Sequence, residues 1–138
     1  MASRDLAHAL RATADRLESN ASFMWGHMGA CNCGQLAQTV TGLTGAEIHR
    51  AALEREGEWE RQANEYCPTS GLLVDHILAV MFELGLTRAD VRNLERLADP
   101  RVLARVGRPL RFNRREDAVV YLRVWADLLE PAASLVNA

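Results

Sequence analysis

Two of the three cysteines and one of the four histidines fall in a single short stretch, Phe23-Met24-Trp25-Gly26-His27-Met28-Gly29-Ala30-Cys31-Asn32-Cys33-Gly34. Thiolate sulfur and imidazole nitrogen are ligands for zinc and other borderline-soft metals, and a thiolate is also a nucleophile. The Cys31-x-Cys33 spacing restricts how the two sulfurs can cooperate. On a helix, side chains two apart diverge by about 200°, and on a strand they point to opposite faces, so both reach one centre only from a turn. Gly26, Gly29 and Gly34 supply the backbone freedom for such a turn. His27 and Cys31, four apart, share a face if that piece is a helical turn. Cys33 then stands at the start of a helix through Gln35, where free N–H groups and the helix dipole favour a thiolate.

The third cysteine, Cys67, lies in Tyr66-Cys67-Pro68-Thr69-Ser70-Gly71, where proline and glycine enforce a turn. Added to the first three residues it completes a Cys3His set, His27, Cys31, Cys33 and Cys67. That is the ligand complement of a closed tetrahedral zinc site, and mixed ligation of an iron-sulfur cluster is a second option. Met24 and Met28 beside His27 also suit Cu(I). Copper ranks behind zinc and iron-sulfur, because methionine next to Phe23 and Trp25 more often fills a core. His49 or His76 is an alternative fourth ligand.

Three other readings compete with the metal centre. Cys31 or Cys33 at a helix N-terminus fits a catalytic nucleophile, with His27, His49 or His76 as base and Asp75 or Glu47 orienting it. A bond between Cys31 and Cys33 would be strained, so Cys67 is the better disulfide partner for either. A reading without chemistry is that cysteines are small buried hydrophobes and the glycine-rich loop is only a loop. Finally, Arg88, Arg92, Arg96, Arg101, Arg105, Arg108, Arg111, Arg114 and Arg115 outnumber the acids of that stretch. Two short helices joined through Gly85-Leu86-Thr87 could then mimic a helix-turn-helix. Asp90 and Glu95 share the candidate recognition helix, which favours an exposed face or a partner-protein surface over DNA. His8, three residues after Asp5, lacks the second Asp-x-x-His or Glu-x-x-His of a bundle di-iron centre and reads as helix surface. His76 reads as a core histidine hydrogen-bonded to Asp75 or to backbone.

Helical spacing predicts the elements that would position these groups. Leu6, Leu10, Ala14 and Leu17 mark a first helix that Ser3 caps and Asn20 ends. Gln35 to Val40 forms a short helix closed by Gly42. Thr44-Gly45-Ala46-Glu47 has the form of a capping box opening a long helix through Ile48, Ala51, Trp59, Ala63 and Tyr66, which Gly57 interrupts. The apolar run from Leu72 to Leu84 predicts the central helix, covered on most sides. Thr87, Asp99-Pro100 and Asn113 cap three more helices, the last carrying Leu122, Trp125 and Leu129 as far as Pro131.

No stretch alternates like a strand, and none repeats. The expected fold is therefore all-α, one bundle-like domain over residues 1–138 with five to seven helices and the Cys/His loop between the first and second. The 138 residues can bury a core without disulfides. A net charge of -2 makes no whole-chain case for nucleic acid or an anionic membrane. All sixteen basic residues are arginine, which reads as compositional bias. Without an apolar leader or spanning segment the expected location is the cytoplasm, where an odd number of cysteines more often serves as ligand, nucleophile or filler than as a disulfide framework. The functional expectation is a small metal-binding helical protein, structural or redox-related; a cysteine-dependent enzyme and a metal-free interaction or nucleic-acid-binding module are the alternatives.

Overall fold

The computed structural model describes residues 2–19 and 21–130 and is all-helical over them. Its helices are α1 (Ala2–Glu18), α2 (Asn32–Thr41), α3 (Gly45–Ala52), α4 (Trp59–Asn64), α5 (Leu73–Glu83), α6 (Arg88–Arg96), α7 (Pro100–Val106) and α8 (Arg115–Leu129). The expected interruption at Gly57, whose φ is 112°, divides one long helix into α3 and α4. Counted as that single interrupted helix, α3 and α4 bring the total to the upper end of the expected range.

Local chemistry sets most boundaries as expected. Thr44 and Glu47 exchange the two bonds of a capping box at α3, and Thr87 with Asp90 do the same at α6. Asp99 accepts the Arg101 N–H ahead of Pro100 at the first position of α7. Gly42 closes α2 in the left-handed conformation. Three expectations are corrected. Ser3 lies within α1, which begins at Ala2. Asn113 does not cap α8; Arg114 occupies that position without a side-chain bond, and Asp117 instead accepts the Arg111 N–H of the preceding loop. His76 is exposed on α5 rather than buried beside Asp75. The Asn20 and Pro131 stops lie outside the described residues.

The central helix is α2, not α5. It packs against α1, α3, α5 and α6, and every residue from Asn32 to Ala37 is buried. Its first turns carry Cys33, Gly34 and Ala37 around a single large apolar residue, Leu36, and the small side chains let four neighbours approach. α5 buries only one face, through Val74, Ile77, Leu78 and Met81, and leaves Leu73, His76 and Glu83 at the surface.

Around α2, the helices α1 and α8 run antiparallel. Leu6, Leu10 and Leu17 join Leu122 and Trp125 in the single hydrophobic cluster. Arg123 bridges Asp15 and Glu18, and Arg11 bridges Asp127 and Glu130, along the rim of that seam. Each buried leucine or tryptophan contributes about 1.5–3 kcal/mol, against at most about 1 kcal/mol for an exposed ion pair. Apolar burial therefore holds the seam, and the ion pairs set its register.

Two glycines in and after the Cys/His loop are required by space rather than by dihedral angle. A Cβ on Gly34 would stand 2.4 Å from the Met28 carbonyl oxygen and 2.5 Å from the Gly29 carbonyl carbon. A Cβ on Gly29 would stand 1.8 Å from the Gly45 oxygen. Both obstacles are backbone and cannot rotate away. Gly34→Ala is expected to cost about 3 kcal/mol or more, read as a fall in the urea midpoint; a loss below about 1 kcal/mol would show that the loop does not sit this close to α2.

Candidate functional site

The loop between α1 and α2 is held by side chains reaching in from three helices. Gln35 of α2 donates to the Ser22 and Ala30 carbonyls, and Gln38 donates to that of Gly29. Arg16 of α1 fixes both glutamines by donating to their side-chain oxygens at 3.2 and 2.7 Å. From α4, the Trp59 indole N–H donates to the Met28 carbonyl at 2.9 Å. From α3, His49 Nδ1 accepts the Met28 N–H at 3.1 Å. His27 Nδ1 accepts the Gly29 N–H at the same distance.

The two imidazoles stack, with ring centroids 4.0 Å apart and an interplanar angle of 20°. Because each Nδ1 accepts a backbone N–H, each neutral ring carries its proton on Nε2. A metal at either Nε2 would displace that proton, and moving it to Nδ1 would break the hydrogen bond that Nδ1 accepts from the loop. The histidines thus serve the loop's backbone.

Cys31 at the N-cap of α2 and Cys33 in its first turn are both buried, at 1% and 0% exposure. The Cys31 thiol donates to the Met28 carbonyl and the Cys33 thiol to that of Val91. Glu95 of α6 accepts the Cys33 N–H at 3.1 Å and adds its negative charge beside both sulfurs. Burial first, and Glu95 second, push both thiols well above their ordinary range. Desolvation therefore outweighs the helix terminus, and the thiols stay protonated. Glu95 is itself pushed up, by burial, although the Cys33 N–H opposes that. Between the cysteines, Asn32 donates from Nδ2 to the carbonyls of Glu95 at 2.9 Å and Phe112 at 3.0 Å. Its Oδ1 is buried with no partner among the described residues.

Cys67 has different neighbours. It sits part-exposed in the turn between α4 and α5, beside Thr69, whose hydroxyl and amide draw the thiol below its ordinary value. Asp75 and Arg55 also act on it. Those two form a bidentate pair with N···O distances of 2.8 and 2.9 Å, and Ser70 donates a further bond to Asp75. Among the described residues no group of three or more His, Cys, Asp or Glu side chains is arranged to hold a metal. All three cysteines are free thiols.

The residues that sequence reasoning missed are Glu95, Asn32, Trp59 and the two glutamines. The helix-turn-helix comparison puts Glu95 on an exposed face, although its position next to Leu94 and four after Val91 places it at the edge of the buried face of α6. The polar pairs on Gln35 and Gln38 carry no motif that distinguishes a loop clamp from a helix surface. A further feature stands out at the loop tip. Met24 to His27 form a turn closed by the His27 N–H on the Met24 carbonyl, with Gly26 at φ 100°. This turn holds Trp25 outward, 42% exposed, with its ring 4.7 Å from that of Phe112, 40% exposed.

Compared with known protein families, curated proteins and solved structures, the chain matches none of them.

Acid should loosen this loop. Burial and the neighbouring His27 hold His49 below its ordinary pKa of 6.5, so the native state binds fewer protons than the unfolded chain as pH falls through that value. The contribution of the neutral ring is complete above about pH 6.5 and declines below it. Urea midpoints at pH 7.5 and 5.5 are expected to show an acid loss that His49→Gln diminishes; equal losses in both proteins would refute the assignment.

Iodoacetamide should modify Cys67 alone in the native protein, with Cys31 and Cys33 labelled only after unfolding, whether or not EDTA is present. Mass spectrometry of the peptides reads this directly. Chelator-dependent labelling of Cys31 or Cys33 would instead show that a metal shields them.

Proposed function

We propose that this chain is a metal-free binding module whose working surface is the Trp25–Phe112 ring pair. The observation carrying the reading is that two large aromatic side chains, 87 positions apart in sequence, meet at the surface with their rings tilted by 43° while their backbones are pinned from below. Phe112 is fixed through its carbonyl by Asn32, and the Trp25 turn by the Met24 N–H bond to the Ala30 carbonyl. A ring pair that only filled a core would be covered. Trp59 and Trp125, at 0% and 3% exposure, show how this chain treats indoles that do so.

Tryptophan and arginine dominate binding hot spots, and rigid aromatic groups lose little entropy when a partner docks. Met24, 61% exposed, adjoins Trp25 in the chain and adds adaptable apolar surface. In this reading the Cys31-Asn32-Cys33 segment is the foundation of the surface: protonated thiols, the Asn32 amide and Glu95 lock the start of α2 to α6 and to the Phe112 loop. The zinc or iron-sulfur reading on His27, Cys31, Cys33 and Cys67 and the nucleophile reading both ask Cys31 or Cys33 to ionise, which burial and Glu95 oppose in the metal-free chain.

A photo-crosslinking residue placed at position 25 or 112 tests this in the cells that make the protein. Adducts at both positions, several-fold above those from a crosslinker at Leu53, an apolar residue 67% exposed elsewhere, are expected. Equal yields at all three positions would remove the proposal.

A further inference from the structure

Taking the Trp25–Phe112 surface as a binding face, we infer that its occupant is single-stranded nucleic acid, with bases stacking on the rings and phosphates held by arginines of the adjoining loop. The inference rests on the preceding proposal and adds the chemistry of the partner.

The charge around Phe112 is unlike that of the whole chain. Residues 100–115 contain Arg101, Arg105, Arg108, Arg111, Arg114 and Arg115 and no aspartate or glutamate. Three of these guanidinium groups have partners: Arg101 bonds Asp99, Arg108 bonds Asp117, and Arg115 donates to the Leu17 carbonyl. Among the described residues the side chains of Arg105, Arg111 and Arg114 have no ion pair or hydrogen bond, and all three are exposed. Arg111 and Arg114 lie one and two positions from Phe112. Glu95, whose carbonyl shares the Asn32 amide with that of Phe112, turns its carboxyl inward to the Cys33 N–H. The face is therefore cationic beside exposed π surface, inside a chain that is net acidic.

This combination matches the two requirements of single-strand binding: guanidinium forks for phosphate, and flat rings that accept any base. An acidic peptide would supply the same charge, but its apolar anchors need pockets. Four cavities open elsewhere, against Asp90 and Trp125, His8 and Val40, Glu58 and Arg61, or Tyr66 and His76, and none of these four is lined by Trp25 or Phe112. A paired duplex hides the base faces that the rings would contact. The face also differs from the recognition helix considered in the sequence, because it is built from two loops and leaves α6 beneath it.

Trp25 reports its own occupancy, being the one exposed indole of three. Titrating the full chain at low salt with a thymidine oligonucleotide about 20 nucleotides long is expected to quench its fluorescence, with affinity falling steeply as salt rises. Fluorescence anisotropy of a labelled oligonucleotide extends the measurement to variants that lack the indole. Trp25→Ala should weaken binding at least about fivefold. The double variant Arg111→Gln/Arg114→Gln should weaken it and flatten the salt dependence by the equivalent of about two phosphates. Arg4→Gln, on α1, should change neither. Thermal melts of each variant separate lost contacts from lost folding, and Trp25→Tyr should restore most of the affinity. Unchanged fluorescence and anisotropy up to about 100 μM oligonucleotide, far above the site affinities such surfaces reach at low salt, would overturn the inference; so would a duplex that binds as tightly, or insensitivity to the arginine pair. Crosslinks at positions 25 and 112 that contain only protein, together with no oligonucleotide binding, would reject nucleic acid while leaving the binding face standing.

Discussion

The rest of the structure depends on the contact between the Met28-Gly29 peptide and the first turn of α2. There is no room between these backbones for a side chain, and the Met28 carbonyl collects a thiol and an indole N–H at once. Overlap of two backbones cannot be relieved by a rotamer change, so this contact is close to all-or-none. It positions Cys31 and Cys33 against α6, and it fixes where the chain leaves the loop towards Trp25. Gln35, Gln38 and the stacked histidines then satisfy backbone groups that the tight approach has removed from water. An amide or carbonyl left unpaired here would cost about 1–3 kcal/mol, more than a typical net hydrogen bond contributes. That explains why so many polar side chains are spent on one loop.

The same segment shows how residue types associated with chemistry can serve architecture. A thiol at a helix N-terminus is often more acidic than a free one, but that holds where water or a cation supports the thiolate. Cys31 and Cys33 face a carboxylate and a dry interior, and the direction reverses. The helix end does not lack an anion: the Glu95 carboxylate already occupies the Cys33 N–H. A part-buried carboxylate completes the turn, and the sulfurs behave as small apolar fillers with weak donors.

How much of this was legible follows the range of the interactions involved. The helices, the capping box at Thr44, the cap at Thr87, the Gly57 break and the Gly42 stop are written in residues a few positions apart, and the sequence shows them plainly. The concentration of structural demand at Phe23 to Gly34 is legible for the same reason. What was not legible is the partner of each residue. Cys31 and Cys33 meet Glu95 across more than sixty positions, and no local pattern marks that acid. Cys67, a turn residue of the same type, keeps company with Thr69, Asp75 and Arg55 instead. Apolar content marks α5 as the central helix, yet α2 is the one that meets four others, because Gly34 and the small residues beside Leu36 let them approach.

The pairing of α1 with α8 has a consequence for how the molecule comes together. The bonds from Arg11 to Asp127 and Glu130 join positions 116 and 119 residues apart, so the seam closes the longest loop in the described chain. Loop-closure entropy opposes such a contact until intervening segments have shortened the effective path. α1 also packs on α2, which is itself gathered by α3, α5 and α6. A core assembled around α2 therefore presents half of a binding groove for α8 before α8 arrives. On a ribosome, the Trp25–Phe112 ring pair would form only after the α2 core, because position 112 emerges after every helix that gathers on α2.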